Sequence, residues 1–474
     1  MDCWYSVSDF VTSHVKTAMK KRIVILGGGE SGVGAAILAK AKGFDVFVSD
    51  QGSIKERYKT ELRSELIPYE EGHHSLDFIL NAQLIIKSPG IPDKAEIIHS
   101  AKSKGIEIID ELEFAFQYLK GKVIAITGTN GKTTTTLLTY HLLKNAGFNV
   151  ALAGNVGESL ARKVAKENHD WYVVEISSYQ LDGTVTFHPE IGILLNITPD
   201  HLDRYEYRME NYINSKFRLI QQMTAKNTFI YYADDSITGT EVSKRKIEAS
   251  KIPVSLKDKS TLAHYDGVQM VFDLSSQHFT ITQADTTLKG PHNLINTLSA
   301  VTAVFLAGAD LGSIRSGLKS FKNAPHRLES VASIKGVEFV NDSKATNVDS
   351  VVYALGSYTQ PLIWIAGGID KGNDYNLIKE AVSKKVKALI CLGKDNDKLK
   401  SFFESIVGDV QETQTVKELV RMALKAAKEG DVVLLSPACA SFDLFKNYED
   451  RGDQFRAAVL ELKEEVEQVG FIKS

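Results

Sequence analysis

The sequence predicts an α/β chain of three domains. They are a Rossmann-like N-terminal domain over 1–117, a P-loop-type central domain over 118–323 with a small antiparallel insertion, and a Rossmann-like C-terminal domain over 324–474. Three observations predict this. Short β-rich runs alternate with longer helical patterns along the whole chain, the signature of βαβ units and parallel sheets. Two glycine-rich segments, Gly27-Gly28-Gly29-Glu30-Ser31-Gly32 and Gly128-Thr129-Asn130-Gly131-Lys132-Thr133, each follow an apolar run and precede a helical one. The 474 residues, at about 150 per domain, make roughly three cores.

The elements follow in order. Arg22 to Leu26 reads as a buried strand, Gly27 to Gly34 as a loop, Ala35 to Lys42 as a helix closing at Gly43, and Asp45 to Ser49 as the next strand. Leu84-Ile85-Ile86 runs into a Ser88-Pro89-Gly90-Ile91-Pro92 turn, because proline is excluded from central strands. The second domain opens on Val123 to Ile126, a glycine-rich turn, and a helix from Thr133 to Asn145 ending at Gly147. Tyr172 to Ile176 and Ile191 to Asn196 are further strands. From 226 to 289 short alternating runs such as Phe279-Thr280-Ile281-Thr282 predict the antiparallel insertion, and His292 to Gly308 a closing helix. Beyond Asn323-Ala324-Pro325, strands are expected at Val337 to Val340, Leu362 to Ala366, Ala388 to Leu392 and Val432 to Leu435.

Composition narrows the function. Hydrophobic residues at 43% and charged residues at 24% are ordinary globular usage and exclude wholesale disorder. Lysine and arginine number 56 against 59 acidic residues, a net charge of −3, which argues against a nucleic-acid partner. Cys3, Cys391 and Cys439 are too scattered for a disulfide framework or zinc site, and each is expected to be a small buried apolar residue. No apolar run reaches membrane-spanning length, and Asp2, Asp9, His14 and Lys16 interrupt the place where a secretion signal needs apolar residues. The expected location is the cytoplasm, with no membrane.

The sharpest local signal is Thr127-Gly128-Thr129-Asn130-Gly131-Lys132-Thr133-Thr134 between strand and helix. Glycines let backbone N–H groups approach phosphate oxygens, Lys132 adds a point charge, the helix N-terminus adds positive potential, and Thr133 offers a hydroxyl to Mg²⁺. Ile126 stands where the common pattern has glycine, so this is a shorter variant. Gly27, Gly29 and Gly32 satisfy G-x-G-x-x-G, with Asp50 eighteen residues beyond Gly32. That pattern points to a diphosphate, carried either by a dinucleotide or by a nucleotide-linked substrate.

Glu175 and His201 each stand at or just past a strand end, where open α/β sheets place active-site groups. Read alone, Glu175 is either a metal ligand or a structural hydrogen-bond partner, His201 either a ligand or a helix-start residue, and Lys216 a solvated helix lysine. In the last domain Asn341 to Asn347, Gly367 to Gly372 and Ser436 to Ser441 each end a strand, and three polar loops in such places suit ligand binding.

The ordered set TGTNGKTT, EISSYQL, LLNITPDHLDRY, NSKF, GPHNLIN, HR, NDSKATN, GGIDKG and SPACASFDLFKNYEDRG resembles the Mur ligases of peptidoglycan synthesis, from about residue 22 to the end. The resemblance implies that the central domain is an ATPase. It implies an amide bond formed between UDP-N-acetylmuramoyl-L-alanine and D-glutamate through an acyl phosphate, by a monomer using ATP and two Mg²⁺ ions. Position by position, Gly128, Thr129, Asn130, Gly131, Lys132, Thr133 and Thr134 become the phosphate cradle, and Asn293 and Asn296 base contacts. Arg327 and Lys344 become phosphate-side cations, and Asp342 a ribose contact. Thr133 and Glu175 would hold the first metal. His201 and a carbamylated Lys216 would hold the second, because an ammonium repels Mg²⁺ whereas its CO₂ adduct is an anion. Lys132, His201 and Lys216 form the implied catalytic set. Gly29, Ser31, Gly32, Asp50 and Asn155 match the UDP-substrate site, and Thr346, Lys371, Ser441 and Tyr448 the D-glutamate pocket, Tyr448 standing where phenylalanine is familiar. Competing readings are a sibling ligase adding another amino acid, a folylpolyglutamate-type synthetase, a nicotinamide-dependent oxidoreductase and a nucleotide switch.

Overall fold

The computed structural model describes residues 21–472; Cys3 and the polar positions read within the first 20 residues lie outside the described residues. The chain gathers into two compact units, the first holding residues up to 119 with 158–168 and 183–185, the second the remainder.

In the first unit β1 (Arg22–Leu26), β2 (Asp45–Asp50), β3 (Tyr69–Glu71), β4 (Leu84–Lys87) and β5 (Glu107–Asp110) form a parallel sheet in the order β3-β2-β1-β4-β5. Residues 23–26 are fully buried, which explains the unbroken apolar run: helices cover both faces of a parallel sheet. The helix after β1 spans Glu30–Ala41 rather than starting near Ala35, so Ser31, Gly32 and Gly34 are helical and the loop is three residues long. The glycines mark close packing as well as a turn. A Cβ on Gly32 would lie 1.8 Å from the Gly27 carbonyl oxygen, and one on Gly34 would lie 2.0 Å from Ser159 Oγ. Ser159 caps the helix Leu160–Lys166, which packs in this unit although the chain places it between two strands of the second.

In the second unit β6 (Lys122–Thr127), β7 (Val150–Gly154), β8 (Trp171–Glu175), β9 (Ile191–Leu194), β10 (Thr228–Tyr232), β11 (Ser250–Ser255), β12 (Ala263–Tyr265), β13 (Gln269–Leu274) and β14 (Gln277–Thr282) form one sheet. Its order is β14-β13-β12-β11-β10-β9-β6-β8-β7. The antiparallel insertion expected over 226–289 is therefore corrected. β10, β11 and β12 continue the parallel sheet, and only β12-β13-β14 pair antiparallel. β10 and β11 are joined by the crossover helix Ser236–Lys244, whose serine, threonine and glycine content hides its helical pattern. The helices Lys132–Asn145 and Pro291–Leu306 bury Leu138, Leu142, Leu298 and Val301 against this sheet.

A six-stranded sheet follows in the same unit. β15 (Glu329–Ile334), β16 (Val337–Asn341), β17 (Leu362–Ala366), β18 (Val386–Leu392), β19 (Asp409–Thr413) and β20 (Val432–Leu435) take the order β15-β16-β20-β17-β18-β19, with only β15 antiparallel. Trp364 anchors one face, fully buried, its indole N–H donating to the Ser436 carbonyl at 2.8 Å. The expected strands all form. β15 and β19 are additional, both at the sheet edges. Cys391 and Cys439 are buried free thiols, as expected. Among the described residues no helix is long and apolar enough to cross a membrane.

Candidate active site

β9, β6 and β8 are neighbours in the central sheet and parallel, so the segments leaving their C-terminal ends converge. After β6 comes the glycine loop. Gly131 sits at φ +85°, where a side chain is strained, and a Cβ there would also meet Asn296 Oδ1 at 2.5 Å. The segment after β9 braces this loop. Asn196 Oδ1 accepts from Asn130 N at 2.8 Å, Asn196 Nδ2 donates to Asn130 O at 3.1 Å, and Thr198 N donates to Thr129 Oγ1 at 3.0 Å. Tyr212 OH lies 3.1 Å from the same Thr129 hydroxyl.

Two lysines meet on one carbonyl. Lys132 Nζ donates to Gly128 O at 2.9 Å and to Thr129 O at 2.7 Å; Lys216 Nζ donates to Gly128 O at 2.7 Å. Lys216, on the helix Met209–Phe217, is 2% exposed, which overturns its reading as a solvated helix lysine. Burial and then the neighbouring Lys132 charge push the Lys216 ammonium well below the ordinary lysine range, against the pull of Asp200 and Glu175. Burial lowers Lys132 as well, with Glu175 and Asp200 opposing. A downward shift of this kind favours the free amine, which is a nucleophile, over the ammonium counter-ion.

Glu175 ends β8 and is 1% exposed. Its Oε1 accepts from Asn155 Nδ2 at 2.8 Å, while its Oε2 is buried with no hydrogen-bond partner. An orphaned carboxylate oxygen between parallel strand ends suits a cation. Among the described residues no three His, Cys, Asp or Glu side chains gather to hold a metal. A magnesium ion here would therefore take most of its oxygen ligands from phosphate and water, which is its ordinary habit. His201 lies in the left-handed region at φ 52°, its side chain 56% exposed. It stands edge-on to Tyr179 with ring centroids 5.3 Å apart, and Arg204 covers Tyr179 at 4.1 Å.

Beside the loop a cavity is lined by Asn130, Gly131, Thr134, Asn293, Asn296, Arg327, Asp342 and Lys344, all expected site residues, together with His292, Tyr232 and Tyr353. Asn296 Nδ2 donates to Asn293 Oδ1 at 2.9 Å and its own Oδ1 accepts from Thr135 Oγ1 at 3.1 Å, so the two asparagines are held as a pair. Arg327 Nη2 donates to Thr133 Oγ1 at 2.7 Å. His292 is half-buried, with its Nδ1 buried and without a partner; desolvation pulls this imidazole down to about 4, so it stands neutral over the cavity.

β16, β20 and β17 are also parallel neighbours, so Asn341–Asn347, Ser436–Ser441 and Gly367–Gly372 leave side by side. Ile369 and Ala440 exchange backbone hydrogen bonds of 2.8 and 3.1 Å, which sets the Lys371 and Ser441 loops against each other. Ser441 is buried, Lys371 exposed, and Thr346 and Tyr448 half-buried, with the Lys344 ammonium 3.6 Å above the Tyr448 ring. In the first unit the glycine loop stands by itself. Asp50 accepts from Gly28 N at 2.6 Å and Gly52 N at 2.7 Å, while the Cβ direction of Gly29 is open.

Three family models match in chain order: Mur ligase MurD-like, N-terminal domain, over residues 21–110; Mur ligase middle domain over 126–304; and Mur ligase, glutamate ligase domain, over 326–439. Over 448 residues the chain is 52% identical to a protein of Cytophaga hutchinsonii named UDP-N-acetylmuramoylalanine--D-glutamate ligase, covering 94% of this chain and 100% of that one. The chain belongs to the Mur ligase family. A relative of the same name from Bacteroides fragilis is 51% identical over 444 residues, 93% of this chain and 100% of that one. Among solved structures, a Thermotoga maritima UDP-N-acetylmuramate-alanine ligase shares the fold with TM-score 0.61 at 18% identity, covering 94% of this chain and 100% of that one. A Methanothermus fervidus pseudomurein peptide ligase does so with TM-score 0.59 at 21% identity over the same shares.

Sequence reasoning missed one organising residue of this Mur ligase. Arg451, 1% exposed, donates from Nε to Ser343 Oγ at 2.9 Å, from Nη2 to Ser343 O at 2.9 Å and Cys439 O at 3.3 Å, and from Nη1 to Gly367 O at 3.4 Å. One guanidinium thus ties all three strand-end loops together. Arg451 lies inside the segment SPACASFDLFKNYEDRG that carries the resemblance, but read alone it is an arginine among the charged residues of Lys446 to Asp453, where solvation is the ordinary reading.

Proposed function

We propose that this Mur ligase joins the alanyl carboxylate of UDP-N-acetylmuramoyl-L-alanine to the amine of D-glutamate with hydrolysis of ATP to ADP and phosphate. The observation that carries the reading is the meeting of Lys132 and Lys216 on the Gly128 carbonyl, next to a Glu175 oxygen without a partner. Near-complete coverage of relatives bearing that ligase name supports it.

The alanyl carboxylate attacks the γ-phosphorus of ATP, the bond to the β-phosphate oxygen breaks, and ADP leaves an acyl phosphate. The neutral amine of D-glutamate then adds to the acyl carbon, the tetrahedral adduct expels phosphate, and the amine proton passes to solvent or phosphate. Charge builds on phosphoryl oxygens in both steps. Residues Gly128 to Thr134 cradle them with backbone N–H groups, and Lys132 turns from its loop carbonyls to the transferred phosphate. Arg327 and Lys344 approach the same phosphates, Asn293 and Asn296 face the base, and Asp342 the ribose. Thr133 and Glu175 would hold one magnesium ion, and His201 with Lys216 a second. When bound, these ions neutralise phosphate charge and polarise the phosphoryl group. The Lys216 amine adds to CO₂ with loss of one proton to give the carbamate anion, which the lowered lysine range favours. Gly29, Ser31, Gly32 and Asp50 receive the UDP group and Asn155 the muramoyl side. Thr346, Lys371, Ser441 and Tyr448 receive the two D-glutamate carboxylates. The functional modules are 1–117, 118–323 and 324–474, in a cytoplasmic monomer.

The test is phosphate release with ATP, UDP-N-acetylmuramoyl-L-alanine and each candidate amino acid in turn. D-Glutamate alone supports turnover; release that ignores the amino acid overturns the reading.

A pH dependence follows from Asp342. Burial pushes its carboxyl up to about 7, against hydrogen bonds from Ser436 and Leu328 N. The ionised form that accepts a ribose hydroxyl is therefore lost as pH falls through that value. KM for ATP is expected to rise several-fold from about pH 8 to about pH 6. In Asp342→Asn that dependence flattens, which steady-state kinetics at several pH values would register.

A further inference from the structure

The first unit holds a feature that diphosphate chemistry does not predict. Glu30 is the first residue of the helix Glu30–Ala41 and directly follows Gly29, at the end where positive potential should receive phosphate. A free carboxylate there repels the ligand. Here both oxygens are taken: Arg162 Nε donates to Glu30 Oε1 at 2.8 Å, Arg162 Nη2 to Oε2 at 3.1 Å, and Ser159 N to Oε1 at 3.0 Å. The guanidinium side chain is 4% exposed and also meets Glu61 through Nη1. Burial alone would raise the Glu30 carboxyl, but the Arg162 and Ser159 bonds outweigh it and hold it below its ordinary range. The contact is built into the backbone, since only a glycine at 34 lets the Ser159–Arg162 turn come this close.

We infer that Arg162 is a positioning residue for the UDP substrate: it turns the Glu30 carboxylate away from the glycine loop and compensates its charge, so that the N-terminal turn is free to receive a diphosphate. This rests on the reading that a UDP-linked substrate binds at Gly29 to Gly32. In this role Arg162 acts through Glu30 rather than on the substrate. Its planar fork engages both carboxylate oxygens at once, which a lysine ammonium does not do.

The experiment is steady-state kinetics on the full chain for Arg162→Gln, Arg162→Lys, Glu30→Gln and the double variant Glu30→Gln/Arg162→Gln. Arg162→Gln raises KM for UDP-N-acetylmuramoyl-L-alanine about tenfold, with kcat and KM for ATP and D-glutamate within about twofold. Arg162→Lys gives an intermediate rise, and remains informative should the glutamine variant fold poorly. The double variant recovers most of the lost affinity, because the repelling carboxylate is gone; a purely structural role would leave it no better than the single. The inference is overturned if both Arg162 variants keep the wild-type KM for the UDP substrate, if all three KM values rise together, or if the double variant is not rescued. A failure of the functional reading looks different: the unaltered chain would then turn over ATP without saturable dependence on the UDP substrate.

Discussion

Replacing Lys216 by alanine is expected to reduce amide formation by about two to three orders of magnitude, with part of the rate returning when a short carboxylate such as acetate is added. The reason lies in the competition on Gly128 O. Two ammonium groups 2.7 and 2.9 Å from one oxygen repel each other, and burial of Lys216 at 2% exposure removes the water that would screen them. Both effects push the Lys216 ammonium well below the ordinary lysine range, which favours the free amine that the proposed CO₂ addition requires. On the proposed carbamate, alanine removes the anion and leaves space for a small carboxylate to replace it. Lys216→Arg separates the carbamate from simple charge, because a guanidinium stays cationic and does not form the adduct; it is expected to be as inactive as alanine and not to be rescued. Phosphate release with all three substrates is the measurement. Near-normal turnover in Lys216→Ala would remove the carbamate from the mechanism.

The parts of this arrangement differ in how far local sequence encodes them. β6, its glycine loop and the helix from Lys132 were legible because a buried parallel strand is an unbroken apolar run, and the loop needs glycine where φ is positive at Gly131. The sequence pattern alone places the start of the Glu30 helix five residues late, because glycine signals loop, whereas Gly32 and Gly34 serve close packing. β15 and β19 escaped because edge strands keep water on one side and show no continuous apolar run; their burial is mixed along the length. In the 226–289 stretch the clearest alternation lies at β14, and its antiparallel pairing does not extend to β10 and β11. Glu175 was placed correctly at a strand end, but its partner Asn155 comes from the neighbouring strand's exit and is joined to it only by sheet order. Lys216 was flagged by family resemblance alone. Its burial depends on Tyr212 and the glycine loop, 88 residues away at Gly128, which no local pattern reports.

Arg451 is the extreme of that non-local class, and its removal carries the second large expected effect. Its guanidinium N–H groups end on carbonyls of Ser343, Gly367 and Cys439 and on the Ser343 hydroxyl, all in a buried setting. Burial pulls its range down to about 10, so it still carries charge at neutral pH. Arg451→Met keeps most of the aliphatic volume but strands those acceptors, at about 1–3 kcal/mol for each one left dry. Some relax toward each other or admit water, so the net loss is expected at about 3–5 kcal/mol, the range for breaking a buried charged network. At about 2–4 °C per kcal/mol for a body of this size, the melting transition falls by roughly 10 °C. The kinetic signature is more selective than the thermal one. The three loops carry Thr346, Lys371 and Ser441, the proposed D-glutamate contacts, so KM for D-glutamate is expected to rise more than KM for the UDP substrate, whose proposed glycine loop belongs to the first unit. Calorimetry and substrate titrations on one preparation read both effects. A variant that melts within two degrees of the parent, with D-glutamate affinity intact, would mean that the Ile369–Ala440 backbone pair holds these loops together without help.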